Sequence, residues 1–153
     1  MRIAVACDHA GYPIKDDILN LLESLGLDVE DLGTFNQEPT DYPDSAEKAG
    51  KAILNGLADR AIVICGSGVG VCIAANKING IYAGTCHDTY SAHQGVEHDN
   101  MNVLCLGARI VGVELAKDIV RAFVGAKFSQ EDRHIRRFNK VRELESKGFI
   151  TNH

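Results

Sequence analysis

Apolar runs and amphipathic stretches alternate along this chain. Residues 2–7, Arg-Ile-Ala-Val-Ala-Cys, are apolar after the first and carry β-branched side chains, the pattern of a strand buried on both faces. The period then changes. Ile14, Ile18, Leu21, Leu22 and Leu25 recur at helical spacing within residues 12–25, and Gly26 supplies a stop. Residues 27–32 read as a second strand ending at Gly33, and Pro39-Thr40-Asp41-Tyr42-Pro43 as a loop. A helix follows over 44–56, with Asp44 or Ser45 as its cap and Gly56 near its end. The pattern predicts a third strand over 60–65, a short helix over 69–77, and a fourth strand near 81–86. It then predicts a helix near 88–96, a fifth strand over 102–106, and helices over 112–125 and 132–147.

Repeated strand–helix alternation demands crossover connections and a parallel sheet covered on both faces. The expected architecture is a three-layer, doubly wound (Rossmann-like) α/β fold. Its five-stranded parallel sheet takes the order 2-1-3-4-5, with an extra C-terminal helix. No linker, repeat or low-complexity stretch divides residues 1–153, so they read as one domain. Ligands of such sheets bind beyond the carboxyl ends of the strands at the switch point, here between the first and third. The last helix has no strand after it to cover. Its apolar residues Ile135, Phe138, Val141 and Leu144 recur every three positions, and another subunit is the expected partner for that stripe.

Composition narrows the function. The chain has 153 residues, 45% of them hydrophobic and 24% charged, and a net charge of −5. Nucleic acid is disfavoured as a partner, because phosphate neutralisation needs a basic face. No apolar run approaches membrane-spanning length, and the N-terminus opens directly into a strand pattern without the features of a signal peptide. The cysteines at 7, 65, 72, 86 and 105 are odd in number and show no C-x-x-C spacing. They read as reduced thiols of a cytoplasmic protein, mostly small core residues.

The densest chemistry lies at Ala61-Ile62-Val63-Ile64-Cys65-Gly66-Ser67-Gly68-Val69-Gly70. A buried strand runs into a glycine loop and then a helix start, where backbone N–H groups cradle an anion. A cysteine at that junction is expected to have a lowered pKa and to act as a base beside an oxyanion cradle. Ser67 is placed to bond a substrate oxygen, or to cap the following helix. The loop lacks the Gly-Lys-Ser/Thr ending of a Walker motif and fits the dinucleotide fingerprint poorly, so nucleotides are disfavoured. Asp8-His9 follows the first strand and suits acid–base work. His98, in Glu97-His98-Asp99-Asn100, fits a general acid or base and a polar loop equally well. Arg133 and Arg137 are one helical turn apart, which gives either a phosphate clamp or a solvated charged face. Arg109 follows the fifth strand. No His/Cys/Asp/Glu spacing suggests a metal.

These motifs together resemble the ribose-5-phosphate isomerase type B family, which also contains galactose-6-phosphate isomerase subunits. The resemblance rests on Cys7-Asp8-His9-Ala10-Gly11, Thr40-Asp41-Tyr42-Pro43, residues 64–70, Ala74-Ala75-Asn76-Lys77 and Gly107-Ala108-Arg109-Ile110-Val111-Gly112. It implies a cofactor-free aldose–ketose isomerase of a phosphorylated sugar, most simply ribose 5-phosphate. Cys65 would move the proton between adjacent carbons. The amides of Gly66, Gly68, Val69 and Gly70, with Ser67, would hold the enediolate. His98 with Asp8 would open the sugar ring. His9, Arg109, Arg133 and Arg137 would bind phosphate, and Tyr42 would line the pocket. The resemblance further implies a dimer or dimer of dimers with sites shared between subunits.

Two positions depart from the family pattern. His98-Asp99-Asn100 stands where many members read His-Asn-Asp, and Ser67 where threonine is common. Asp99 thus places an extra carboxylate near the substrate, and allose, galactose or tetrose phosphates are alternative substrates. A phosphosugar-binding subunit that needs a paralogous partner is a second alternative. A thiol redox protein using Cys65 and Cys72 ranks last.

Overall fold

The computed structural model describes residues 1–147. Its elements are β1 (Arg2–Cys7), α1 (Tyr12–Ser24), β2 (Asp28–Asp31), α2 (Tyr42–Leu54), β3 (Arg60–Cys65), α3 (Val69–Ala75), β4 (Ala83–Thr85), α4 (Thr89–Asp99), β5 (Val103–Gly107), α5 (Val113–Gly125) and α6 (Asp132–Lys147). All strand pairs are parallel: β1 with β2 and β3, and β5 with β3 and β4. The doubly wound α/β architecture is as expected from the alternation.

The strand order is β2-β1-β3-β5-β4, which corrects the expected 2-1-3-4-5. The reason is visible in the strands themselves. Every residue of β5 (Val-Leu-Cys-Leu-Gly) is buried, whereas β4 is only Ala-Gly-Thr and half-buried throughout. A short, weakly apolar strand gains least from an interior position and is the natural edge. The exposed edge of β4 is blunted by a side chain: Asn76 accepts from Ala83 N–H and donates to Ala83 C=O, both at 2.9 Å. That amide imitates a neighbouring strand.

Alternation along the strands sorts the core into two layers. Ile3, Val5, Cys7, Ile62, Ile64, Leu104 and Leu106 face α1, α4 and α5. Ala4, Ala6, Ala61, Val63, Cys65, Val103 and Cys105 face α2 and α3. The second layer is built largely of alanine and cysteine, so α2 lies close to the sheet. Gly50 lets α2 close on the connection between α3 and β4, because a Cβ there would come within 2.7 Å of Ile78 Cδ1. In the first layer Ile119, Val120 and Phe123 of α5 are fully buried, worth roughly 1.5–3 kcal/mol each.

Two boundaries differ usefully from the pattern. Helix α2 begins at Tyr42, with Asp41 as N-cap and Pro43 in its first turn. Proline is accepted there because its missing N–H would be unpaired anyway. Helix α4 continues to Asp99 and ends on Asn100 in the left-handed conformation (φ 54°), so His98 and Asp99 belong to the helix rather than to a loop. Helix α6 is held by Phe138, packed against Tyr82 and Phe128. Glu145 accepts from Gly80 N–H at 2.7 Å and from Tyr82 Oη at 3.0 Å. The rest of its predicted stripe, Ile135, Val141 and Leu144, is 38–53% exposed. Among the described residues, no helix is long and apolar enough to cross a membrane.

Candidate active site

A cleft of about 420 Å³ opens at the carboxyl ends of β1, β3 and β5. Asp8, His9, Tyr42, Cys65, Gly66, Ser67, Gly70 and Arg109 all line it. The chain reaches this arrangement through short-range backbone constraints. Asp8 Oδ1 accepts from the N–H groups of Ala10 and Gly11, both at 2.9 Å, which folds the chain sharply after β1. Gly11 is obligatory in that fold, because a Cβ would stand 2.2 Å from the Ile64 carbonyl oxygen. The turn places His9 over the cleft. Its Nδ1 accepts from Thr40 N–H at 3.2 Å, which assigns the ring proton to Nε2 and makes that nitrogen a donor.

Cys65 ends β3 and is buried. Its Sγ accepts the Gly68 N–H at 3.1 Å, an interaction strongest when the sulfur bears charge. Gly68 has φ 79°, a conformation in which an L side chain is strained. It is wedged against β5, 3.1 Å separating the place of a Cβ from Gly107 N, and Thr85 Oγ1 donates to its carbonyl at 2.9 Å. The next amide, Val69 N–H, donates to Ser67 Oγ at 3.2 Å. Ser67 thus braces the chain at the helix start, whose N-cap is Gly68, and is exposed in the cleft.

Two side chains close the walls. The Tyr42 ring lies over Gly70, where a Cβ would be 2.9 Å from Cε2. The Arg109 guanidinium lies over Gly66, its NH1 3.3 Å from the corresponding point. Arg109 N–H donates to Gly66 C=O at 3.0 Å, locking the loop after β5 to the glycine loop. The cleft thus holds a thiol under a backbone donor, a carboxylate, an imidazole N–H and a guanidinium. That set can move a proton and hold a dianion.

The remaining predicted residues lie elsewhere. His98 and Asp99 end α4, directly before β5 begins, and so sit at the amino edge of the sheet. The five residues of β5, about 15 Å at the usual strand rise, separate that edge from the cleft. His98 stacks on His134 (centroids 4.1 Å apart, planes at 24°), and its Nδ1 meets Gln94 Nε2 at 3.0 Å. Arg133 and Arg137 are exposed on α6 beside that pair, and Arg133 bonds Glu131 at 2.9 Å. The predicted site residues therefore fall into two clusters at opposite ends of one sheet. The sequence reading missed Thr85, Ala10 and Ile110, which respectively brace and line the cleft. Nothing in the local pattern of Thr85 marks it, because its contact depends on where β4 lies. Among the described residues, no group of three His, Cys, Asp or Glu side chains is placed to hold a metal.

Comparison with known proteins agrees with this geometry. The family described as Ribose/Galactose Isomerase matches residues 3–141. Ribose-5-phosphate isomerase B of Escherichia coli is 43% identical over 146 residues, spanning 95% of this chain and 97% of that protein. D-erythrulose-4-phosphate isomerase of Pectobacterium atrosepticum is also 43% identical, over 84% of this chain and 85% of its own length. The solved structure of Clostridium thermocellum ribose-5-phosphate isomerase B superposes with a TM-score of 0.93 at 44% identity, covering 96% and 99% of the two chains. With its thiol, glycine loop and switch-point cleft in that shared framework, the chain belongs to the ribose/galactose isomerase family and is an aldose–ketose isomerase.

Proposed function

We propose that this protein interconverts ribose 5-phosphate and ribulose 5-phosphate through an enediolate, with Cys65 as the base. The single observation that carries the reading is the Gly68 N–H aimed at Cys65 Sγ inside the cleft. On the open-chain aldose, the Cys65 thiolate takes the proton from C2. The C1 carbonyl becomes the enediolate oxygen, held by amides of the 66–70 loop and Ser67. The thiol then returns the proton to C1, the proton of the C2 hydroxyl passes to the C1 oxygen, and C2 becomes the ketone, so the step is redox-neutral and needs no cofactor. His9 and Arg109 hold the phosphate, and this remote binding fixes the sugar over the sulfur.

Ring opening and the rest of the phosphate clamp come from a second copy. His98, Arg133 and Arg137 are at the far end of their own sheet, so they serve a cleft by reaching into that of a neighbour. The exposed side of α6 supports a homo-oligomer, a dimer or dimer of dimers. The unpaired state of all five cysteines accords with a cytoplasmic setting. A tetrulose phosphate is the second reading. The relative named for D-erythrulose 4-phosphate is as similar as the one named for ribose 5-phosphate, and Asp99 lies beside His98 at the half-site that would meet the sugar.

Purified protein assayed without added metal on ribose 5-phosphate, erythrulose 4-phosphate, allose 6-phosphate and galactose 6-phosphate tests the assignment. Turnover is expected with ribose 5-phosphate and a loss of about 10³-fold or more in Cys65→Ala. A Cys65→Ala enzyme with near-normal turnover refutes the base. Mixing Cys65→Ala with His98→Ala tests the shared site. A mixed dimer has one intact site, so randomised exchange restores about a quarter of wild-type activity. No recovery, with exchange verified, refutes the two-copy site.

A further inference from the structure

The proposed isomerase chemistry uses only Cys65, yet Cys105 and Cys72 belong to the same core layer. Cys105, fully buried on β5, carries its side chain on the same face of the sheet as Cys65. Cys72 lies on α3, which packs on that face, and its side chain packs against the same buried cluster that contains Cys105. Cys72 is only half-buried. Asn76 Nδ2 donates to its sulfur at 3.5 Å. As a thiol it donates to the Ala83 carbonyl at 3.5 Å. The pair thus combines a half-buried sulfur under an amide donor with a fully buried thiol in the cluster it packs on.

We propose that Cys72 is an oxidation site of this protein, attacked by hydroperoxides and resolved by Cys105 as a Cys72–Cys105 disulfide that tethers α3 to β5. In the first step the Cys72 thiolate attacks one peroxide oxygen. The O–O bond breaks, sulfur loses two electrons to the peroxide, and Cys72 becomes a sulfenic acid with release of hydroxide or an alkoxide. In the second step Cys105 sulfur attacks the sulfenic sulfur. Its proton leaves with the displaced hydroxyl as water, and the S–S bond forms.

The electrostatics favour this division of labour. Cys105, first, and the Asn76 amide outweigh burial and bring the Cys72 thiol down to about 6. Cys105 is held well above its ordinary value, first by its bond with Cys72, then by burial and by the Cys72 charge. Oxidation of Cys72 removes the first and third of these causes, so the resolving thiol is released by the step that needs it. Cys86 is pushed up to about 11 by burial and stays out of the exchange. The tether would fix to β5 the helix α3, which follows directly from the glycine loop.

The test treats the intact protein with hydrogen peroxide, blocks residual thiols by alkylation, and maps cross-links by fragment sequencing of non-reduced peptides. Wild type is expected to lose two hydrogens and to show a Cys72–Cys105 link that dithiothreitol reverses. Cys65→Ala is expected to keep that link, which makes the result independent of the isomerase assignment. Cys105→Ser is expected to leave Cys72 as a sulfenic acid trapped by dimedone, and Cys72→Ser to show neither. Oxidation confined to Cys65, a Cys65–Cys72 link, or unmodified Cys72 in folded wild type would each overturn the proposal.

Discussion

Gly68→Ala, read against Gly26→Ala, separates the cost of a backbone conformation from the cost of the site. Both glycines have similar positive φ, 79° at Gly68 and 72° at Gly26. A Cβ at Gly26 meets nothing within 4 Å, whereas at Gly68 it stands 3.0 Å from the Leu106 carbonyl carbon and 3.1 Å from Gly107 N. Gly26→Ala therefore measures the left-handed penalty alone, about 1–2 kcal/mol. Gly68→Ala adds a clash with backbone in the buried strand β5, which cannot swing aside as a flexible side chain could. Overpacking of this kind costs about 1–3 kcal/mol, so the total is about 2–5 kcal/mol. For a chain of this length that lowers Tm by roughly 5–20 °C. Because the Gly68 N–H is the donor to Cys65 Sγ, the same displacement removes an oxyanion-type contact, and kcat falls about 10²–10³-fold. The assays are calorimetric unfolding of both variants and isomerase turnover well below either Tm. Equal destabilisation of the two variants, or Gly68→Ala turnover within about a factor of ten of wild type, would refute the reasoning.

Other positions give independent checks. The Lys15 ammonium is buried between Asp31 (2.9 Å) and the Thr34 carbonyl (2.8 Å); Asp31→Asn strands that charge and should cost about 3 kcal/mol in denaturant unfolding. His134 is buried, and its ring is held below the ordinary 6.5 by desolvation, then by His98 and Arg133. A base depressed in the folded state binds fewer protons there than when unfolded, so unfolding free energy should fall as pH drops below about 6.5, and less steeply in His134→Gln. The Cys72 thiol, lowered to about 6, should be alkylated by iodoacetamide at a near-constant rate above pH 7 and about tenfold more slowly for each unit well below 6. A Cys72 profile still rising at pH 8 would contradict the donor set drawn around it.

The alternation of apolar runs with helical periods was enough to specify a doubly wound parallel sheet, because each strand and each amphipathic face must bury what its period exposes. Cys65, Asp8-His9 and the glycine loop were equally legible, since a thiol ending a buried strand before a glycine turn has only the switch point to occupy in such a fold. Local pattern did not determine strand order. β4 and β5 both read as strands, and only competition for the interior of one sheet sent Ala83–Thr85 to the edge and Val103–Gly107 beside β3. That choice put Thr85 against Gly68, Asn76 along an open strand edge, and α4 on the α1 and α5 face. That His98 and Cys65, both placed by the motifs in one site, lie at opposite ends of one sheet follows from the parallel alternation itself, since His98 precedes β5 and Cys65 ends β3. Spacing along a chain records which residues an element carries. Which elements become neighbours is set by burial summed over the whole molecule.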